Sequence, residues 1–205
     1  MTVVAIDGPA GAGKSTVARG VADRLGFTYL DSGAMYRCVA LAALRRGVEP
    51  EEVAAEVEIE LGDLVQLDGR DVSQDIRGPE VSEAASRAAA DPVVREAMVA
   101  QQRRMLSSGN WVAEGRDIGT VVAPQAEVKV FLTADPGERA RRRAAELGAE
   151  AERVLAEQAI RDERDRQRQL SPLRQAPDAV ILDTTELTSE QAVDRVVALV
   201  EQGAS

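Results

Sequence analysis

The chain has 205 residues, of which 44% are hydrophobic and 29% charged, and this composition is ordinary for a globular protein with one core. The formal net charge of -10 argues against a general nucleic-acid-binding surface, and no stretch is long and apolar enough for a transmembrane helix. Histidine is absent and Cys38 is the only cysteine, which excludes imidazole catalysis, an internal disulfide and a cysteine-based metal site. Because no basic leader precedes the first apolar run, we expect a cytoplasmic protein.

The first part of the chain alternates short apolar runs with helical patterns. Residues 3–6 predict a buried strand and residues 8–15 a glycine-rich turn. The fourfold spacing of Val17, Val21 and Leu25 predicts a helix that ends at Gly26. A strand over 28–30 and a helix over about 34–46 follow.

The middle of the chain changes character before the alternation resumes. Short strand-like runs over 57–72 predict a small antiparallel insertion. Helices are predicted over 79–90, after Asp91, after the capping pattern that begins at Asp135, and from 188. Strands are predicted over 111–115, 128–132 and 179–183. Short apolar strands that alternate with helices predict an α/β fold with a parallel sheet.

The segment from Gly8 to Ser15 matches the pattern G-x-x-x-x-G-K-[ST] in full. A strand is predicted before it and a helix after it, so a chance glycine-rich turn is a poor alternative. Backbone N–H groups in such a loop surround a β-phosphate, the lysine reaches the β- and γ-phosphates, and the serine hydroxyl can ligate Mg²⁺. The residues predicted to bind ATP are Gly8, Pro9, Ala10, Gly11, Ala12, Gly13, Lys14, Ser15 and Thr16.

Arginines are concentrated late in the chain. Of the 25 basic residues 23 are arginine, and nine of these fall between Arg139 and Arg168 in an otherwise acidic protein. A concentrated group of guanidinium side chains indicates a local anion site. Codon bias is the alternative explanation for the general preference for arginine over lysine.

Three further segments join the phosphate loop in a resemblance to the bacterial cytidylate kinases, a branch of the nucleoside-monophosphate kinases. They are LDSGAMYR (30–37), EGRDIGTVV (114–122) and RDERDRQR (161–168). Together with IDGPAGAGKST they are similar to the family signature in order and spacing over essentially the whole chain. The resemblance implies a P-loop kinase fold with a parallel sheet of about five strands, a small antiparallel insertion and a short helical lid.

The resemblance also implies roles for individual residues. Arg37 and Arg116 would contact phosphate, Asp117 would accept from the cytosine amino group, and Glu114 would order magnesium-bound water beside the Ser15 ligand. The implied CMP-binding residues are Ser32, Arg37, Ser86, Arg95, Arg116, Asp117, Arg161, Asp165 and Arg168. Two alternatives stay open: Ser86 and Arg95 also suit ordinary helices, and Arg161 and Asp165 are one turn apart and could pair on the surface.

The lid predicted at about 140–160 carries the arginines expected to stabilise the transferring phosphoryl group. Arg142 and Arg143 are the favoured members, and with Lys14, Arg116 and Arg161 they complete the predicted catalytic set. The lid is several residues shorter than is usual in the family. The predicted organisation is a single domain with a core over 1–56 and 91–205 and a monophosphate-binding insertion over 57–90.

The predicted reaction is magnesium-dependent transfer of the γ-phosphoryl group of ATP to CMP or dCMP by a monomer, with no nucleic-acid or membrane partner. A kinase for AMP, dTMP, shikimate or dephospho-coenzyme A is the nearest alternative, and a panel of acceptors distinguishes it. A nucleotide-dependent switch is an alternative of another class. Such a switch would lack the lid arginines and the insertion, and it would turn over nucleotide without an acceptor.

Overall fold

The computed structural model describes residues 1–203, which fold as two compact units. The first unit comprises Met1–Thr28 and the chain from Ser108 onward, and the second comprises Tyr29–Ser107. The predicted single-domain organisation, with its insertion at 57–90, stays a prediction. The predicted α/β class is confirmed.

Five strands form the larger sheet: β1 (Val3–Asp7), β2 (Thr28–Asp31), β6 (Trp111–Gly115), β7 (Val128–Thr133) and β8 (Val180–Asp183). The sheet has the order β2-β6-β1-β7-β8, and the β6-β1, β1-β7 and β7-β8 pairings are parallel. Val4 lies opposite Val112 on one side and Val128 on the other, so β1 is central and fully buried.

Four long helices belong to the first unit: α1 (Lys14–Leu25), α6 (Pro136–Leu147), α7 (Ala151–Gln167) and α8 (Ser189–Gly203). Helices α1 and α8 pack against each other, with α1 against β6 and α8 against β7. Helices α6 and α7 pack together as a hairpin at the position of the predicted lid, and Ala140, Ala144 and Val154 form a small buried cluster within it. A π-helical turn at Ile118–Val122 follows β6 and was not predicted.

The second unit contains helices and a small sheet. Its helices are α2 (Ser32–Arg46), α3 (Pro50–Val53), α4 (Pro79–Ala88) and α5 (Pro92–Met105), with a short 3-10 turn at Asp75–Arg77. The strands β3 (Ile59–Leu61), β4 (Val65–Leu67) and β5 (Arg70–Asp71) pair in an antiparallel manner, which confirms the predicted insertion.

Helix α2 begins two residues before the predicted start. The Asp31 carboxylate accepts a hydrogen bond from the Ala34 N–H at 2.8 Å, so the aspartate caps a helix that begins at Ser32. The helix then buries Met35 and Val39 and packs against α4. None of the helices within residues 1–203 is long and apolar enough to cross a membrane.

Candidate active site

The phosphate loop joins the carboxyl end of β1 to the first turn of α1, as the sequence predicts. At Gly8 the backbone approaches β7 so closely that a Cβ atom would lie 2.1 Å from the Leu132 carbonyl oxygen, with φ at +154°. Only glycine fits there. At the other end Gly13 precedes Lys14, the first residue of α1, and has no side chain to cap the helix. The N–H groups of that turn remain available to an anion, which the positive end of the helix favours.

Lys14 is buried beneath this loop at 7% exposure, and its Nζ donates to the Pro9 carbonyl at 2.8 Å. Burial, and after it the nearby positive charge of Arg116, lower the pKa of Lys14 to about 7, while the negative charge of Glu114 opposes the shift. A buried lysine beside other cations is suited to meet a polyanion, because phosphate oxygens would supply the missing negative charge. Ser15 and Thr16 are exposed at the start of α1.

The segment after β6 brings together several predicted residues. Arg116 Nε donates to Asp165 Oδ2 at 2.8 Å, and Arg168 donates to the other oxygen of the same carboxylate. Asp165 is 1% exposed, and Asp117 and Glu114 are also buried. The structure therefore contradicts the alternative of a surface position for Asp165, since its carboxylate lies between two guanidinium groups.

Burial disfavours the charged forms of both Arg116 and Asp165, and the opposite charge of the partner outweighs this effect on each pKa. Burial alone would lower the pKa of Arg116, but the Asp165 carboxylate raises it above its ordinary value. Burial likewise would raise the pKa of Asp165, but Arg116 and Arg168 hold it below its ordinary value. Arg161 contributes to the same positive field around Lys14 and Asp165. Lys14, Arg116, Arg161 and Asp165 thus form one group of interacting charges near the ends of β1 and β6.

The two favoured lid arginines have other partners. Arg142 donates to Glu138 at 2.8 Å and to the Thr184 and Thr185 carbonyls at 2.6 and 3.1 Å, which anchors it to the loop after β8. Arg143 pairs with Glu146 on its own helix at 2.8 Å and is 41% exposed. Their predicted role stays a prediction.

Four predicted acceptor residues belong to the second unit. Ser32 opens α2, and Arg37 on the same helix donates to the Asp31 carboxylate at 3.0 Å. Arg95 on α5 is 3% exposed, donates to the Ala89 carbonyl at 3.2 Å and places its guanidinium 5.6 Å from the centre of the Tyr36 ring. Ser86 is buried on α4.

Sequence reasoning missed Asp7, the last residue of β1. Its two carboxylate oxygens accept hydrogen bonds from the Ile118 and Gly119 N–H groups at 2.8 and 2.7 Å. Asp7 therefore fixes the π-helical turn that directly follows Arg116 and Asp117. Burial raises the pKa of Asp7 to about 6 despite these two bonds. A carboxylate at the end of an otherwise apolar strand, directly before a phosphate loop, is the signal that could have found it.

The described residues offer few protein ligands for a metal ion. Among residues 1–203 no group of three or more acidic, histidine or cysteine side chains is placed to hold an ion. Mg²⁺ in phosphoryl-transfer sites keeps several waters and uses few protein ligands plus substrate phosphates. A single hydroxyl at Ser15 and a nearby buried carboxylate, Glu114, fit that mode of binding.

A phosphate loop at the carboxyl end of a parallel sheet, with a buried lysine and paired arginines beside it, defines a P-loop kinase. Solved structures agree on the fold. An uncharacterized protein from Eubacterium ventriosum superposes with a TM-score of 0.61 at 13% identity, covering 98% of this chain and 99% of that one. A gluconokinase from Sinorhizobium meliloti gives a TM-score of 0.53 at 16% identity, covering 99% and 94%.

Sequence comparison gives the family. Residues 4–202 match the cytidylate kinase family. A cytidylate kinase of Solibacter usitatus is 51% identical over 97% of this chain and 91% of that protein, and one of Mycobacterium avium is 49% identical over 98% and 95%. The chain belongs to the cytidylate kinase family of nucleoside-monophosphate kinases, which confirms the family predicted from its motifs.

Proposed function

We propose that this protein transfers the γ-phosphoryl group of Mg-ATP to the α-phosphate of CMP or dCMP. An oxygen of the acceptor phosphate attacks the γ-phosphorus, the bond from that phosphorus to the bridging oxygen of ADP breaks, and the products are ADP and CDP or dCDP. The observation that carries the proposal is the position of buried Lys14 in one electrostatic group with Arg116, Arg161 and Asp165. Family membership supports the acceptor.

Charge neutralisation, and not a general base, drives this reaction. The acceptor is an anion at neutral pH, so no side chain has to remove a proton from it. Lys14, the N–H groups of the phosphate loop and the arginines offset the negative charge that gathers around the transferred group. When bound, Mg²⁺ would neutralise negative charge on the nucleotide phosphates, and the residues that would hold it are Ser15 directly and Glu114 through water.

Arginines, a serine and two aspartates would hold the acceptor in this proposal. Arg37 and Arg116 would bind the α-phosphate, since guanidinium groups match phosphate oxygens in pairs. Asp165, Arg161 and Arg168 would position the ribose and phosphate. The base would meet Ser86, Arg95 and Asp117, with the Asp117 carboxylate accepting from the cytosine amino group.

Three further statements complete the proposal. The lid arginines Arg142 and Arg143 would leave their present partners when both substrates are bound and stabilise the transferring phosphoryl group. The protein acts as a cytoplasmic monomer. The net charge of -10 supports the absence of a nucleic-acid partner.

A coupled assay of ADP formation tests the reaction, with ATP, Mg²⁺ and one acceptor at a time from CMP, dCMP, UMP, AMP and dTMP. We expect strong turnover with CMP and dCMP, weak turnover with UMP and almost none without an acceptor. A preference for AMP or dTMP would contradict the assigned acceptor, and turnover indifferent to every acceptor would contradict kinase activity.

Asp117→Ala tests how the base is recognised. If Asp117 accepts from the cytosine amino group, its loss narrows the ratio of kcat/KM for CMP over that for UMP by roughly 10-fold or more. An unchanged ratio would remove Asp117 from the base site. Glu163→Gln is the control, because it removes a carboxylate at an exposed position on α7. We expect it to leave the ratio of kcat/KM for CMP over UMP unchanged.

A further inference from the structure

The backbone N–H and the backbone carbonyl of Ala10 in the phosphate loop are both bound by the α6-α7 hairpin. Its N–H donates to Asp162 Oδ1 at 3.1 Å, and its carbonyl accepts from Arg139 Nη1 at 2.7 Å. Asp162 lies 152 residues away in the sequence and Arg139 lies 129 residues away. The backbone on both sides of the Ala10 Cα is therefore fixed by tertiary contacts.

The two side chains that hold Ala10 also pair with each other. Arg139 Nη1 lies 2.7 Å from Asp162 Oδ2, and the side chains are 7% and 3% exposed. Arg139 Nε in addition donates to the Ala134 carbonyl at 3.3 Å, which fixes the guanidinium. An isolated carboxylate this close to a phosphate-binding loop would repel the nucleotide. Because Arg139 neutralises it, Asp162 can bind the loop without opposing the ligand.

The next residue, Gly11, packs against the same hairpin. A Cβ atom there would lie 2.6 Å from Gln158 Nε2 and 3.1 Å from the Arg139 carbonyl oxygen. Gln158 Nε2 itself donates to that carbonyl at 3.4 Å, so the contact joins both helices of the hairpin to the loop. The hairpin and this side of the loop are consequently in direct contact without an intervening side chain at position 11.

We infer that Arg139 and Asp162 are a positioning pair, which sets the phosphate loop for nucleotide binding by fixing the two peptide groups that flank the Ala10 Cα. The pair turns the N–H and carbonyl of Ala10 toward the hairpin, and the N–H groups that follow it in the loop are left for the phosphates. Neither side chain needs to touch the nucleotide. The inference rests on the proposed function only in that the loop binds a nucleotide phosphate.

One exposed ion pair of the hairpin offers a comparison, because it does not link the two helices. Arg153 pairs with Glu157 at 2.8 Å within α7, and the two side chains are 76% and 58% exposed. This pair links residues one turn apart on a single helix. It is the matched control for a pair that links α6, α7 and the phosphate loop.

The test measures nucleotide binding and turnover in Asp162→Asn. We expect the Kd for Mg-ADP, measured by titration calorimetry, to rise roughly 10-fold and kcat to fall roughly 10- to 100-fold, because small displacements of positioned groups have effects of this size. The KM for CMP changes by less than about 3-fold, since the acceptor does not use the loop. Arg153→Gln leaves all three values near those of the parent.

A second series separates positioning from general stability. Arg139→Lys keeps the charge and a donor and recovers most of the Mg-ADP affinity, whereas Arg139→Met does not. Val154→Ala enlarges a space in the small core that Val154 forms with Ala140 and Ala144, so we expect it to lower the melting temperature but to keep the affinity.

Parent-like Mg-ADP affinity in folded Asp162→Asn would overturn the inference. So would an equal loss of affinity in Val154→Ala at a matched change in melting temperature. Should Asp162→Asn not fold, the comparison of Arg139→Lys with Arg139→Met decides. Binding of Mg-ADP requires no acceptor, so a wrong acceptor assignment would leave this result intact, and failure of the parent to bind would count against the proposed function instead.

Discussion

The end of β1 and the helix α7 each bury an aspartate, and the two carboxyl groups titrate in opposite directions. Asp7 at the strand end is 5% exposed and accepts two backbone N–H bonds, yet burial raises its pKa to about 6. Asp165 on α7 is 1% exposed and meets Arg116 and Arg168, whose charges lower its pKa. Two neutral donors do not offset the loss of water around a carboxylate, whereas two cations do.

The opposite pKa shifts of Asp7 and Asp165 match the kind of group that each carboxylate holds in place. Asp7 orders a backbone turn, for which hydrogen bonds suffice. Asp165 orders Arg116, a side chain that would otherwise be a buried, mobile cation at the proposed acceptor site. Arginines held in place before the anion arrives avoid a reorganisation cost at the moment of reaction.

Lys14→Met extends the comparison of buried charged groups from the two aspartates to a buried lysine, and it has the largest expected effect. Loss of the charge that meets the β- and γ-phosphates should lower kcat on the order of 10³-fold. The free energy of unfolding should not fall, because the methionine removes a charge that burial and Arg116 disfavour in the folded protein. The check is steady-state kinetics beside urea unfolding, and a variant that is less stable than the parent would contradict the electrostatic account.

Asp165→Asn removes the charge that compensates the guanidinium groups of Arg116 and Arg168, whose side chains are 16% and 6% exposed. We expect a loss of about 3 to 4 kcal/mol in unfolding free energy at pH 7, since breaking a buried pair leaves uncompensated charge. Because the folded pKa of Asp165 is depressed, its contribution is present above the unfolded pKa and is lost as the pH falls through the folded pKa. The difference between parent and variant should therefore shrink in acid. Glu163→Gln is the exposed control on the same helix.

Asp7→Asn should show the opposite dependence on pH. The folded protein holds the Asp7 proton up to about pH 6, whereas the unfolded chain releases it near the ordinary aspartate pKa of 3.8. The parent therefore loses unfolding free energy relative to the variant as the pH rises from about 4 to 6, by about 2 to 3 kcal/mol. Paired urea titrations at pH 4, 5, 6 and 7 measure this, and a constant difference would show that the pKa of Asp7 is not raised.

Glu157→Gln removes a carboxylate from an exposed ion pair, in contrast to the buried carboxylates of Asp7 and Asp165, and has the smallest expected effect. Its pair with Arg153 is open to solvent on one helix, so the change in unfolding free energy should stay within about 0.5 kcal/mol and kcat should not change. A loss as large as that of Asp165→Asn would show that burial is not what separates the two kinds of pair.

Local patterns predicted most of the fold. The phosphate loop, the alternation of strands and helices and the antiparallel insertion follow from spacing and turn residues, which act over a few positions. The start of α2 was misplaced because the Asp31 cap was not considered, although that signal is local. The π-helical turn at Ile118–Val122 had no such signal, since its N–H groups are satisfied by Asp7, more than 100 residues earlier.

By itself, the sequence determined the phosphate loop, the fold class and the family, because a loop that binds phosphate requires a contiguous pattern of residues and those motifs occur in order. Only the tertiary structure decided which of the clustered arginines and aspartates are buried together. Arg139 and Arg143 are four residues apart on one helix, yet one binds the phosphate loop and the other lies beside solvent. Burial and the nearest opposite charge depend on packing between distant segments, and these two quantities fix the energy of an ion pair.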